Sequence, residues 1–167
     1  MIKILWIEDD EAQVNVWRDA IAKAFSVVSV FKNHLDALNY AKSHTHRIEA
    51  VLTDLRILSG PAQNFYPPTN TAFVYGLKLT QDLSVECPTL PVIVYSRFLD
   101  VGSPTRIAVD KLLLEPPANL LNIYQTPIDP ERAVRNMLYS YLKYDFSSKT
   151  ISLAEYTRAN PPKIIAL

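Results

Sequence analysis

Cysteine is almost missing from this chain of 167 residues: Cys87 is the only one. An internal disulfide is therefore excluded, and a reducing compartment is expected. An excess of one charge is missing too, because seventeen basic residues cancel seventeen acidic ones. That removes the footprint of a protein that grips nucleic acid or an anionic membrane nonspecifically. No apolar run approaches the roughly 18 residues that mark a membrane-spanning helix. The opening Met1-Ile2-Lys3 meets Glu8-Asp9-Asp10 too soon for a signal peptide. The expectation is a soluble, cytoplasmic protein. There is no internal repeat, and a 49% hydrophobic chain of this length suffices for one domain with a substantial core.

What the chain does have is three short apolar runs, each ending on a residue able to do chemistry. Ile2–Ile7 leads into Glu8-Asp9-Asp10, the run 50–53 into Asp54, and the run 91–95 into Ser96. Short runs rich in Ile and Val read as strands buried on both faces, as in a parallel sheet covered by helices. In open sheets of that kind ligands bind outside the carboxyl ends of the strands. Clustered carboxylates repel one another, so such a site calls for a divalent cation, and Mg2+ suits oxygen-only ligands.

Between the strands the period changes to that of a helix. Residues 11–25 carry Val14, Trp17, Ala20, Ile21 and Ala24 at three-to-four spacing. Residues 26–31 are β-rich, and 34–43, 73–83 and 105–114 read as helices. Leu120–Gln125 reads as a fifth strand. A last helix, about 130–144, is announced by Asp129 as N-cap, Pro130 at the first helical position and Glu131 in the first turn. Two stretches do not fit. Residues 55–72 contain Gly60, Pro61, Pro67 and Pro68 and show no period, and a structureless connection that long is usually functional or disordered. Residues 145–167 are mixed and end on Ile164-Ile165-Ala166-Leu167. The fold class is therefore α/β, a doubly wound five-stranded parallel sheet over residues 1–144. It carries an inserted loop at 55–72 and a C-terminal extension, 145–167, that is no separate domain.

The order ILWIEDD, VLTDLR, PVIVYS and a proline closing the fifth strand resembles the receiver domain of two-component response regulators, over roughly residues 2–144. The resemblance implies a phosphorelay signalling protein rather than an enzyme with an external substrate. Carried over position by position, Glu8 and Asp9 match the acidic pair that holds Mg2+. Asp54 matches the phosphoacceptor, the backbone carbonyl of Arg56 a further metal ligand, and Ser96 the switch hydroxyl. Gly76-Leu77 matches the start of the third helix, which makes 55–72 an insertion beside the phosphorylation site. The implied partners are a histidine kinase or phosphotransfer protein, an unknown downstream protein, and a second copy of the chain through the last α-β-α face.

Two departures from the pattern bear on function. Receivers carry a lysine just before the proline ending the fifth strand, and here that position is Thr126, which can hydrogen-bond a phosphoryl oxygen but not neutralise it. Arg97 follows the switch hydroxyl where a small residue is usual. Arg56 and Arg97 thus become candidates for the missing positive charge, or for ion pairs with the acidic run that close the site.

Other readings stay beside this one. The same fold with a degenerate pocket would be a phosphorylation-independent pseudo-receiver acting as a binding module. A toprim-like Mg2+-dependent phosphoryl-transfer enzyme would need a second aspartate, which Asp54-Leu55-Arg56 lacks. His44 and His46 bracket a threonine without a third ligand and do not suggest zinc. Phe65, Tyr66, Phe73 and Tyr75 either pin the long loop onto the domain or form a partner-binding lid. The 23 residues from Asp145 on are too few for a DNA-binding helical module, so direct DNA binding is not expected.

Overall fold

The computed structural model of the chain describes residues 1–60, 74–126 and 129–166. Among these residues six strands and six α-helices follow one another, alternating up to α5: β1 (Ile2–Ile7), α1 (Glu11–Ala24), β2 (Phe25–Phe31), α2 (His34–His44), β3 (Ala50–Asp54), α3 (Tyr75–Glu86), β4 (Val92–Ser96), α4 (Pro104–Leu112), β5 (Leu120–Gln125), α5 (Pro130–Ser147), α6 (Leu153–Ala159) and β6 (Ile164–Ala166). All the strand pairings are parallel, in the order β2-β1-β3-β4-β5-β6. The doubly wound parallel sheet is as expected, with one correction: among the described residues it has six strands, not five.

Because successive strand side chains point to opposite faces, the apolar runs feed two cores. Leu5, Ile7, Val51, Val92 and Val94 pack under Ala37 and Ala41 of α2, Leu79 and Leu83 of α3 and Val109 of α4. Ile4, Trp6, Leu52, Ile93 and Tyr95 pack under Trp17 and Ile21 of α1, Val134, Met137 and Tyr141 of α5, and Leu153 and Tyr156 of α6.

Local chemistry sets the helix starts. Asp10 accepts the amides of Ala12 and Gln13, Asn33 that of Asp36, and Asp129 those of Glu131 and Arg132 ahead of Pro130. Each cap satisfies donors that have no partner within the helix. The start of α3 is fixed differently. The Gly76 amide donates to the Leu55 carbonyl at 2.9 Å. A Cβ at Gly76 would stand 2.2 Å from the Asp54 carbonyl oxygen and 2.7 Å from Leu55 Cα. Only glycine lets α3 press against the end of β3.

The two stretches without period have distinct outcomes. At the start of the inserted loop, buried Leu55 and Ile57 alternate with half-buried Arg56 and Leu58, and Leu58 bridges Asn33 as a parallel strand would. Ser59 then accepts the Leu35 amide at 3.2 Å. Residues 61–73, with Phe65, Tyr66 and Phe73, lie outside the described residues. The C-terminal extension is built into the sheet. Ser152 and Glu155 form a reciprocal capping box that opens α6. Thr157 Oγ1 donates to the Ala118 carbonyl at 2.7 Å. Ile164, Ile165 and Ala166 then pair with Ile123, Tyr124 and Gln125.

The last α-β-α face is therefore lined along the β5 edge by the chain's own tail. Tyr139 and Phe146 of α5 stay 69% and 78% exposed beyond it. Among the described residues no helix is long and apolar enough to cross a membrane.

Candidate functional site

Parallel strands bring their carboxyl ends to one edge of the sheet, and the candidate residues sit there. Glu8 and Asp9 follow β1, Asp54 ends β3, Ser96 ends β4, and Thr126 comes directly after β5. Hydrogen bonds stitch these ends together. The Glu8 amide donates to the Phe31 carbonyl at 2.9 Å, Leu55 to the Tyr95 carbonyl at 3.1 Å, and Thr126 to the Ser96 carbonyl at 3.0 Å.

Carboxylate oxygens of Glu8, Asp9 and Asp54 all lie within 4.8 Å of one another. They line a cavity of about 180 Å3 together with Asp10, Arg56, Arg97 and Phe98. Glu8 is 1% exposed and Asp54 8%. Burial, opposed by hydrogen bonds from Tyr95 and the Asp10 amide, pushes the Glu8 carboxyl up to about 7, and Asp9 and Asp10 add to the rise. Burial and then the neighbouring Glu8 raise Asp54 well above the carboxylate range, against backbone donors at Leu55 and Arg56. Desolvation and like charge both disfavour the ionised forms. The donor set is oxygen-only, convergent and electrostatically frustrated, so it fits a hard divalent cation that would offset the repulsion.

Two of these acids are held by hydrogen bonds. Asp54 Oδ1 accepts the Leu55 amide at 2.7 Å. Glu8 Oε1 accepts the Asp10 amide at 3.1 Å, and Glu8 Oε2 the Tyr95 hydroxyl at 2.8 Å. Ser96 is fully buried, and its Oγ accepts the Phe98 amide at 3.1 Å. Thr126 is 2% exposed, and its hydroxyl has no hydrogen-bond partner among the described residues.

The arginines flank the pocket without filling it. Arg97 reaches Asp10 Oδ2 at 3.4 Å, with both side chains close to half exposed. Exposed pairs of that kind contribute about 0–1 kcal/mol, so the contact is easily surrendered. Arg56 lies over the Phe98 ring at 4.4 Å. Arg97 is thus paired with the acidic run.

The histidines and the cysteine lie apart from this pocket. His34 meets Asp82 at 2.7 Å between α2 and α3, His44 stacks on Tyr40, and Cys87 is buried. Sequence reasoning missed Phe98, which lines the pocket, Tyr95, which contacts Glu8, and Trp6, which donates to Tyr95 behind it. Tyr95 and Trp6 fall inside apolar strand runs, where an aromatic reads as core. The one available signal was adjacency, since Tyr95 directly precedes Ser96.

Neither a family model nor a curated protein matches the chain. Solved structures do. A response regulator receiver domain protein from Clostridium thermocellum superposes with a TM-score of 0.61 at 14% identity, over 87% of this chain and 98% of that one. The isolated receiver domain of RcsB from Salmonella enterica, described in the presence of phosphomimetic beryllofluoride, matches with a TM-score of 0.60 at 16% identity, over 85% and 88% of the two chains. The receiver domain of a Pseudomonas aeruginosa sensor histidine kinase, described with magnesium in its active-site cleft, gives 0.58 at 15% identity, over 85% and 98%. The fold is that of response regulator receiver domains.

Proposed function

We propose that the protein is an atypical receiver that accepts a phosphoryl group on Asp54 and signals through protein contacts. The observation that carries this is the convergence of Glu8, Asp9 and Asp54 within 4.8 Å at the strand ends of a receiver fold. Mg2+ would be held by these three carboxylates and the Arg56 backbone carbonyl, and when bound it supplies positive charge opposite the transferring phosphoryl oxygens.

The chain's own residues do the rest. Leu55 fixes the Asp54 carboxylate through Oδ1. An Asp54 oxygen attacks the phosphorus of a phosphohistidine, a P–O bond forms, the P–N bond breaks, and the leaving imidazole takes up a proton. Ser96 is the switch hydroxyl, and Thr126 offers a buried hydroxyl, without a partner among the described residues, to a phosphoryl oxygen where a lysine would offer charge. Arg97, held at Asp10 by a weak exposed pair, and Arg56 both line the pocket and are the cations available for compensation. The donor is a histidine kinase or phosphotransfer protein, and the chemistry ends at self-phosphorylation and autodephosphorylation. Downstream contact, including any homodimer, falls to α5, whose Tyr139 and Phe146 remain exposed outside the tail.

A specific observation also favours a second reading. The Arg97–Asp10 contact lies on the pocket wall and Thr126 brings no charge, as suits a pseudo-receiver that works by binding alone. Incubation with acetyl phosphate and Mg2+, followed by intact-mass measurement, separates the two. A receiver gains one phosphoryl group that is lost in Asp54→Asn. A chain that never gains it is a pseudo-receiver.

A further inference from the structure

Tyr95 is wholly buried on the strand that carries Ser96, yet it does more than fill space. Its hydroxyl donates to Glu8 Oε2 at 2.8 Å and accepts the Trp6 indole N–H at 2.9 Å. The polarity of this chain is fixed by chemistry, because an indole nitrogen only donates. The phenol must therefore spend its own proton on the carboxylate. Trp17 of α1 stacks on the Tyr95 ring, with centroids 5.1 Å apart and planes 18° from parallel, and clamps it from the far side. The Asp10 amide holds the other oxygen of Glu8. Both oxygens are thus oriented by one donor each, while the carboxylate still converges on Asp9 and Asp54.

We propose that Tyr95 is the positioning residue of the acidic pocket: it aims Glu8 at the cation and ties that aim to the Trp6–Trp17 layer across the sheet. This rests on the Mg2+ reading given above. Outer-shell donors that orient a metal-ligating carboxylate commonly change metal affinity about 10–100-fold when removed. Here the donor also couples the pocket to both tryptophans of the chain, Trp6 by hydrogen bond and Trp17 by stacking. A shift of Glu8 on cation binding then moves the phenol that touches each indole, so tryptophan emission becomes a direct reading of the site.

The experiment titrates the full chain with Mg2+ and follows two signals, tryptophan emission and the Asp54 amide resonance. In the wild-type chain both should saturate with one dissociation constant. Tyr95→Phe keeps the ring on Trp17 and removes only the hydroxyl. It should weaken Mg2+ binding about tenfold at the Asp54 amide and abolish most of the emission change. Trp6→Phe, which leaves the Tyr95–Glu8 contact, should weaken binding several-fold less, and it serves as the deciding variant if Tyr95→Phe does not fold.

Unchanged Mg2+ affinity in the folded variants, even with a lower melting temperature in EDTA, would make Tyr95 a packing residue and overturn the proposal. A wild-type chain whose Asp54 amide ignores Mg2+ would overturn the metal reading itself, which is a different result.

Discussion

The frustration of the acidic pocket predicts an inverted pH profile for the metal-free protein. Burial holds the Glu8 carboxyl at about 7 in the fold against an ordinary 4.5. An acid whose pKa is raised on folding binds its proton more tightly folded than unfolded. The stability this gives is therefore complete below pH ~4.5, falls as the pH rises toward 7, and levels off above it. At 1.36 kcal/mol for each pH unit, the loss is on the order of 3 kcal/mol between pH 4.5 and 8. Asp54, raised in the same direction by burial and by Glu8, steepens the slope.

Glu8→Gln removes the charge and should flatten the profile. Its amide has one oxygen and one NH2, whereas Tyr95 and the Asp10 amide both donate. One donor thus faces another donor, which costs about 1 kcal/mol or more. The net gain at pH 8 is then about 1–2 kcal/mol, from the same balance of charge removal and mismatch. Urea melts in EDTA from pH 5 to 8 measure it. Wild-type stability that stays level or rises across that range, with Glu8→Gln no different, would refute the reasoning. Saturating Mg2+ should remove the slope in the wild-type chain and leave Glu8→Gln unmoved.

Gly76→Ala forces a methyl to 2.2 Å from the Asp54 carbonyl, so α3 must shift away from β3; a loss of about 3 kcal/mol is expected in chemical denaturation. Truncation after Ser148 removes α6 and β6 and with them the buried Leu153 and Tyr156. At about 2 kcal/mol for each side chain, the loss is about 4 kcal/mol, and an unchanged urea midpoint would show the tail to be dispensable. Thr126→Val deletes a buried hydroxyl that has no partner among the described residues and should stabilise the metal-free chain by about 1 kcal/mol. Thr126→Lys should raise acetyl-phosphate labelling several-fold; if it does not and Arg97→Ala abolishes labelling, Arg97 holds the lysine's role.

The parts of the fold that were legible in the sequence are those where one physical demand dominates. β1, β3 and β4 are buried on both faces, so they appear as unbroken apolar runs, and the acids and hydroxyl that end them stand out by contrast. The Asp129-Pro130 start of α5 was legible because capping chemistry is local. β6 was not: three residues after Pro161-Pro162 carry no period, and their pairing depends on an edge of β5 that only the folded chain presents. The α6 helix has seven residues, and its Ser152–Glu155 capping box was the one signal available. Tyr95 was hidden for a different reason. Its ring obeys the strand pattern, while its hydroxyl works on the residue 87 positions earlier, and sequence spacing holds no trace of that contact.

The central claim is that Asp54, Glu8 and Asp9 form a pocket for a phosphoryl group and a divalent cation that is coupled to Ser96. The most direct measurement is the amide spectrum of the full chain with Mg2+ alone and then with Mg2+ and beryllofluoride. The account predicts shifts at residues 8–10 and 54–56 with Mg2+, extending to Ser96, Arg97 and Thr126 when beryllofluoride is added, all absent in Asp54→Asn. Spectra that do not change at Asp54 and Ser96 under either condition would contradict it.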